Sequence, residues 1–414
     1  LLVVLALNIG ILFYFKYFNF FIANVNNVLR TDYAVITLII SLGISFFTFQ
    51  QVSYLVDAYK HRIEHTSLLN YAVFSSYFPV ITSGPIILHG SIIRQLDEKE
   101  KHVFKWENFN RGIYLFTIGL AKKVLIADTL GKVVTAGYED IQSLSSFATL
   151  LLILSYSLQI YFDFSGYSDM ARGTSRMLNI DIPMNFNSPY KAKSINEFWK
   201  RWHITLTDFL REYIYFPLGG SRKGDIRTYC NILIVFFVSG LWHGASWTFI
   251  LWGLLHGVAQ CVERKLGQIS IKSNDRVKGI ITFAFANCAW VIFRANSIEQ
   301  AGMIFSNILS PRNILSGADS FQLIYLSEIR VLAQFLGTQH GKGLLYLEYF
   351  NSNAVMFAAV IIAFLLYIVF FRKNSDEIVA DFKPDLKHLL LISCLLFWCI
   401  ISIGNVSSFI YSNF

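Results

Sequence analysis

The chain has 414 residues, 54% of them hydrophobic, 16% aromatic and only 15% charged, against about 25% charged in an average soluble domain. Mean hydropathy is +0.48, which excludes an ordinary water-soluble globule. The net charge of +8 and pI of about 9.1 come from Lys and Arg in short loops between apolar runs. That distribution fits the cytoplasmic loops of a membrane protein, and no nucleic-acid partner is expected.

A helix needs about 20 mostly apolar residues to cross roughly 30 Å of hydrocarbon. On that criterion the expected spans are 1–22, 34–56, 71–93, 110–135, 147–165, 229–262, 279–296, 354–371 and 388–410. Each must be helical, because unpaired backbone groups are costly in lipid, and no alternating strand pattern points to a barrel. The expected fold is therefore all-α: a polytopic transmembrane helical bundle, one membrane domain over 1–414, with its motif-bearing core at 161–257. The chain opens on Leu1 inside an apolar run, with no Met and no basic n-region. It reads as lacking N-terminal transmembrane segments, not as carrying a signal peptide.

Between the runs, residues 191–228 hold eight Lys/Arg against four Asp/Glu, interleaved with Phe198, Trp199, Trp202, Phe209, Tyr213 and Phe216. Within them, 195–216 reads as an amphipathic helix lying at the membrane interface, and the whole basic stretch is placed on the cytoplasmic side. Residues 306–353 are less apolar and form the longest connection, with a loop marked by Gly341 to Gly343. The five cysteines, Cys230, Cys261, Cys288, Cys394 and Cys399, lie in or beside apolar runs without a C-x-x-C pair. They read as small buried hydrophobes; no disulfide or metal site is expected.

The run 229–262 is too long for one upright span. Basic flanks, Arg222, Lys223 and Arg227 before it and Arg264 and Lys265 after, put both ends on one side. The segment must then enter and return as a broken helical pair, with Gly240 and Gly244 as the break. His243 would lie deep in the membrane, where an ionisable residue is a functional candidate by default. A neutral imidazole there can take a proton. The alternative is a His hydrogen-bonded between closely packed helices.

The other candidates carry bland readings of similar weight. His203, in Trp199-Lys-Arg-Trp-His203, could bind a donor phosphate or orient the site, or could sit in an interfacial aromatic belt. His203 to Asp208 matches H-x(4)-D, but residues five apart on a helix point about 140° apart. Asp163 and Asp169 are expected to pair with Arg172 in a structural ion network. His256, in Leu-His-Gly like His243, is expected to pack. No G-x-S-x-G, P-loop or H-E-x-x-H pattern occurs.

Taken together, Trp242-His243-Gly244 with Trp247 and Trp252-Gly253, Phe198-Trp-Lys-Arg-Trp-His203 and the block Phe209 to Gly224 resemble the membrane-bound O-acyltransferase family. Tyr161–Gly173, Phe47–Tyr54, Phe78-Pro79 and Ser83-Gly-Pro85 extend the resemblance, which runs from about residue 10 to 300. The Pro217-Leu-Gly-Gly-Ser-Arg-Lys-Gly224 run is most similar to the alginate-acetylating branch.

The resemblance implies that His243 is the catalytic histidine and His203 the second histidine of the same core. It implies a thioester donor from the cytoplasm, for which acetyl-CoA is the expectation, and an acceptor from outside. Lys200, Arg201 and Arg222 are then expected near the donor's phosphates, with Ser246 or a backbone N–H as oxyanion donor. An exopolysaccharide is the expected acceptor, reached through an extracytoplasmic serine acetyltransferase partner, with the chain in the bacterial inner membrane. D-alanyl, lipid or protein acyl transfer within the family, and a polytopic polysaccharide or lipid transporter, are the alternatives.

Overall fold

The computed structural model describes residues 1–38, 43–63, 66–268, 274–310 and 354–403, and most of the apolar runs within them form helices. In chain order they are α1 (Leu2–Leu29), α2 (Ile44–Tyr59), α3 (Leu68–Ser75), α4 (His89–Asp97), α5 (Trp106–Ala121), α6 (Asp128–Glu139) and α7 (Ser146–Met177). Next come α8 (Ile195–Trp199), α9 (Ile204–Leu210), α10 (Asp225–His243), α11 (Trp247–Gln268), α12 (Asp275–Arg294) and α13 (Ile298–Leu309). The last are α14 (Ala354–Phe371), α15 (Ser375–Ala380) and α16 (Leu386–Ser402).

Among the described residues, α1, α7, α10, α12 and α14 are long and apolar enough to cross a membrane, and α16 is apolar but shorter. The all-α polytopic fold stands, but the expected spans resolve unequally. The 71–93 run is not one helix: Pro79 and Pro85 lie in the non-helical stretch between the short helices α3 and α4. The 34–56 run is helical only from Ile44 within what is described. The loop expected around Gly341 to Gly343 lies outside the described residues, and α13 covers the start of that connection.

The central pillar is α7. In its most apolar window 78% of residues are buried, against 11–39% for the other four spanning helices. Its start is fixed by Ser145, whose hydroxyl accepts from the Ala148 N–H. Its end is a Schellman turn with Asn179 left-handed at φ 60°: Ile180 N–H donates to Ser175 C=O (2.9 Å) and Asn179 N–H to Arg176 C=O (3.0 Å).

Antiparallel to the pillar runs α5, backbone against backbone. A Cβ on Gly112 would stand 2.7 Å from the Gly173 carbonyl oxygen, and one on Gly119 2.6 Å from that of Gly166. The reverse substitutions meet the same wall, since Gly166 faces the Gly119 oxygen at 2.7 Å and Gly173 the Gly112 oxygen at 2.7 Å. Small residues at such contacts let helices approach where lipid offers no hydrophobic drive. One buried apolar cluster then runs from Phe46 on α2 through α7 to Val369 on α14.

Between α5 and α6 the helix widens into a π-turn, Lys122–Ala127, that inserts two lysines against the pillar. Lys123 pairs with Asp163 (2.7 Å) and Asp128 (2.8 Å), and Lys122 with Asp169 (2.6 Å). Ser375 joins Asp169 at 2.6 Å. Arg172 instead grips Asp376 on α15 with two bonds, 2.6 and 2.7 Å. The expected ion network exists, but Asp163 and Asp169 take lysines from another helix rather than Arg172. The cysteines also differ from expectation: Cys399 is buried, whereas Cys230, Cys288 and Cys394 face outward from the bundle, and all five are free.

Candidate active site

The long run 229–262 is a helical hairpin. α10 ends on His243, the chain extends through Gly244, and α11 starts at Trp247. Glycine is required by space: a Cβ at Gly244 would stand 2.3 Å from the Phe249 ring. Higher up, Gly240 and Gly253 let the two helices touch, because a Cβ there would meet the Phe249 and Phe236 carbonyl oxygens at 2.4 and 2.3 Å. The break expected near Gly240 and Gly244 therefore falls at Gly244, and Gly240 serves the crossing. Ser246 is occupied in starting α11: its hydroxyl accepts from Thr248 N–H (3.3 Å) and bonds the Thr248 hydroxyl (3.0 Å).

His243 is 2% exposed. Trp242, Trp252 and Phe293 surround it, with ring centroids at 4.9, 4.9 and 5.2 Å. His203 faces it at 6.5 Å and is fully buried. The reading of 195–216 as one amphipathic helix is corrected. That stretch breaks into α8, α9 and a π-turn, Arg211–Tyr215, and its Phe198, Trp199 and Trp202 are core residues. Residues of large apolar area go inside when the chain can turn them inward. The turn is made at His203, left-handed at φ 46°.

Two extended segments hold that turn. Phe186 and Trp202 form an antiparallel bridge, with Asn187 N–H on Arg201 C=O (2.9 Å) and Ile204 N–H on Asn185 C=O (3.0 Å). The Asn185 side-chain oxygen lies 3.2 Å from His203 Nδ1 and accepts from Thr205 N–H (3.2 Å) and the Thr205 hydroxyl (3.0 Å). Because a backbone N–H can only donate, this Asn185 atom is the carbonyl oxygen, and Nδ1 of His203 must carry the proton. The lone pair of His203 therefore sits on Nε2.

His256 packs, as expected: its Nδ1 accepts from the Trp199 indole N–H (3.2 Å) among Phe198, Phe236 and Trp252. Asp208 pairs with Arg211 at the surface, so the H-x(4)-D pattern brings nothing together.

Two cavities flank α10. One, of about 510 Å³, has Lys200, Arg211 and Arg264 at its lining and runs in past Trp199 and Phe236 to Ser239, one helical turn before His243. The other, of about 680 Å³, is apolar and lies between α1 and the far face of α10, bounded by Phe49, Phe209, Leu241 and Trp242. Of the three expected donor-binding cations, Lys200 lines the first cavity. Arg201 is turned to Glu197 (2.8 Å) and the Asn187 carbonyl, and Arg222 is exposed outside the lining.

Sequence reasoning passed over three residues of this neighbourhood. Asn185 gave no signal beyond being polar. Lys16 and Tyr17 did: a lone Lys inside an apolar run is costly unless it has work to do. Lys16 Nζ donates to the Trp242 carbonyl (2.6 Å) and to the Ser45 hydroxyl (3.1 Å), and the Tyr17 hydroxyl donates to the Leu241 carbonyl (2.8 Å).

The family profile described as MBOAT, membrane-bound O-acyltransferase family, matches residues 2–300, which contain both histidines and both cavities. The chain belongs to the membrane-bound O-acyltransferase family. This O-acyltransferase is 36% identical to the peptidoglycan O-acetyltransferase of Helicobacter pylori, over 99% of this chain and 81% of that protein. It is 33% identical to the probable alginate O-acetylase of Pseudomonas aeruginosa, over 91% of this chain and 70% of that one. The teichoic acid D-alanyltransferase of Bacillus subtilis matches at 30% over 53% of this chain and 58% of its own length. The transporter alternative falls with this membership. As a member of the family with several membrane-length helices, the O-acyltransferase is a multi-pass membrane enzyme.

Proposed function

We propose that this O-acyltransferase takes an acetyl group from cytoplasmic acetyl-CoA and passes it toward a hydroxyl of an extracytoplasmic glycan, with His243 as general base. The observation that carries this reading is the buried His243–His203 pair beside a helix with a cavity on each side. The donor enters the 510 Å³ cavity, where Lys200, Arg211 and Arg264 offer charge to its phosphates and Ser239 marks the inner end. His243 removes the proton of the acceptor hydroxyl as its oxygen attacks the thioester carbonyl. The tetrahedral intermediate collapses, the C–S bond breaks, and the imidazolium returns its proton to the leaving thiolate. General-base assistance of this kind contributes about 10²–10⁴-fold. His203, with its lone pair on Nε2, is the second polar side chain beside His243.

Peptidoglycan is the favoured acceptor. The Helicobacter relative named for it aligns over 99% of this chain. An alginate-like exopolysaccharide is the second reading, on the Pseudomonas relative. In either case the last transfer belongs to an extracytoplasmic serine acetyltransferase. This chain is then an inner-membrane relay whose immediate acceptor is that partner's serine.

The test is reconstitution in vesicles with acetyl-CoA on the Lys200 side and glycan on the other. Expected is thioester consumption that disappears in His243→Ala at unchanged expression and fold, and glycan acetylation only when a serine acetyltransferase is added. Retained turnover in His243→Ala removes the general-base assignment. Efficient acetylation without a partner removes the relay. Turnover of D-alanyl thioesters in place of acetyl-CoA moves the substrate to the Bacillus type.

A further inference from the structure

The helix that ends on His243 leaves its last carbonyls without intrahelical partners, as every helix does. A following glycine in the left-handed region commonly satisfies them. Here Gly244 is extended, at φ −178° and ψ 159°, and no such turn closes the end. Tyr17 and Lys16 reach the end instead, from a helix more than 220 residues earlier in the chain. The Tyr17 hydroxyl takes the Leu241 carbonyl at 2.8 Å, and the Lys16 ammonium takes that of Trp242 at 2.6 Å.

Both donors come from Phe13–Tyr17, where α1 widens into a π-turn. π-Turns inside helices are rare and frequently mark functional sites. Lys16 is 8% exposed, and no carboxylate pairs with it among the described residues. Its charge is met by the Ser45 hydroxyl and by the negative end of α10, where a cation is favourable. The ammonium also lies 5.9 Å from the centre of the Trp242 ring, and that ring touches both His243 (4.9 Å) and His203 (5.7 Å).

We infer that Lys16 and Tyr17 are positioning residues that cap α10 from outside and thereby set the angle and spacing of His243 against His203. The inference rests on His243 being the base. Without the two donors the last turn of α10 is free to unwind from Leu241, and the imidazole drifts while the donor cavity, lined from Ser239 outward, keeps its shape.

The test uses the full-length enzyme in detergent or vesicles, with donor-thioester kinetics for Lys16→Met, Tyr17→Phe, Lys16→Arg and His243→Ala. Lys16→Met should lower kcat by about 100-fold, the size of loss that follows a misplaced catalytic group, and leave the donor KM within about twofold. Tyr17→Phe should show the same split with a smaller loss, and Lys16→Arg should recover part of kcat. If Lys16→Met does not survive purification, Tyr17→Phe, which deletes one hydroxyl, decides alone. A dead His243→Ala beside a Lys16→Met or Tyr17→Phe of full kcat overturns the cap. So does a loss shared between kcat and KM in step with a lowered melting temperature. An active His243→Ala instead overturns the reading of the base on which the cap depends.

Discussion

His203 has a left-handed backbone that a bulky side chain adopts only at a cost, of order 1–3 kcal/mol, and such residues gather at functional sites. What holds it is the Asn185 oxygen, which accepts from Thr205 and from His203 Nδ1. Asn185→Asp keeps an acceptor, whereas Asn185→Leu releases the ring and its tautomer. Thioester turnover should therefore be better preserved in the Asp variant, with a loss on the order of 100-fold in the Leu variant, the low end of a general-base contribution. Equal activity in the two would show that the tautomer of His203 has no part in the reaction. His243 was legible because its block is local: a His between glycines in an apolar run needs nothing distant to be noticed. Asn185 was not, because its role is made by a contact with a residue 18 positions on, across a turn that no helical or strand period announces.

Among the helices, the decisive contact is α5 on α7, and it is glycine against glycine. The spacing that produces it was in the sequence, seven residues from Gly112 to Gly119 and seven from Gly166 to Gly173. Neither pair has a meaning until the other is known to face it. Gly119→Leu or Gly166→Leu should overpack the crossing and destabilise by about 1–3 kcal/mol or more, read as a lower melting temperature in detergent. Gly302→Ala is the control: nothing lies within 4 Å of its added Cβ, so the melting temperature should hold or rise. An equal drop in all three variants would remove the close approach as the cause. The same dependence on partners misled the reading of 195–216. Its period fits a surface helix, but the chain breaks after Trp199 and turns at His203, and Trp199 and Trp202 lie in the core, where they meet Trp252, His256 and Trp290.

For the molecule as a whole, composition set the solvent, and the long apolar runs set most of the helices. Where the runs were short or carried Pro, as at 71–93, length counting overreached. On the excess of Lys and Arg in cytoplasmic loops, Lys200, Arg211, Arg222, Lys223 and Arg227, which precede or open the hairpin in the chain, are expected on the cytoplasmic side. In a background with the five native cysteines replaced, Ser221→Cys, which is exposed, should react with an impermeant thiol reagent only after cells are opened. Rapid labelling of intact cells would turn the protein over and put the basic cavity outside.

The bond between Lys16 and the Trp242 carbonyl spans 226 positions of chain, and synthesis runs from the N-terminus. The ammonium near the middle of α1 therefore enters the bilayer long before its acceptor has been made. A lysine at the centre of a membrane helix disfavours insertion by about 2.5–3.5 kcal/mol on translocon scales. Until then the lysine lacks the Trp242 carbonyl that it holds in the folded protein. Arrival of the α10–α11 hairpin supplies that carbonyl and, in the same event, brings His243 beside His203. On this order of synthesis, seating α1 and bringing the two histidines face to face are expected to be one event.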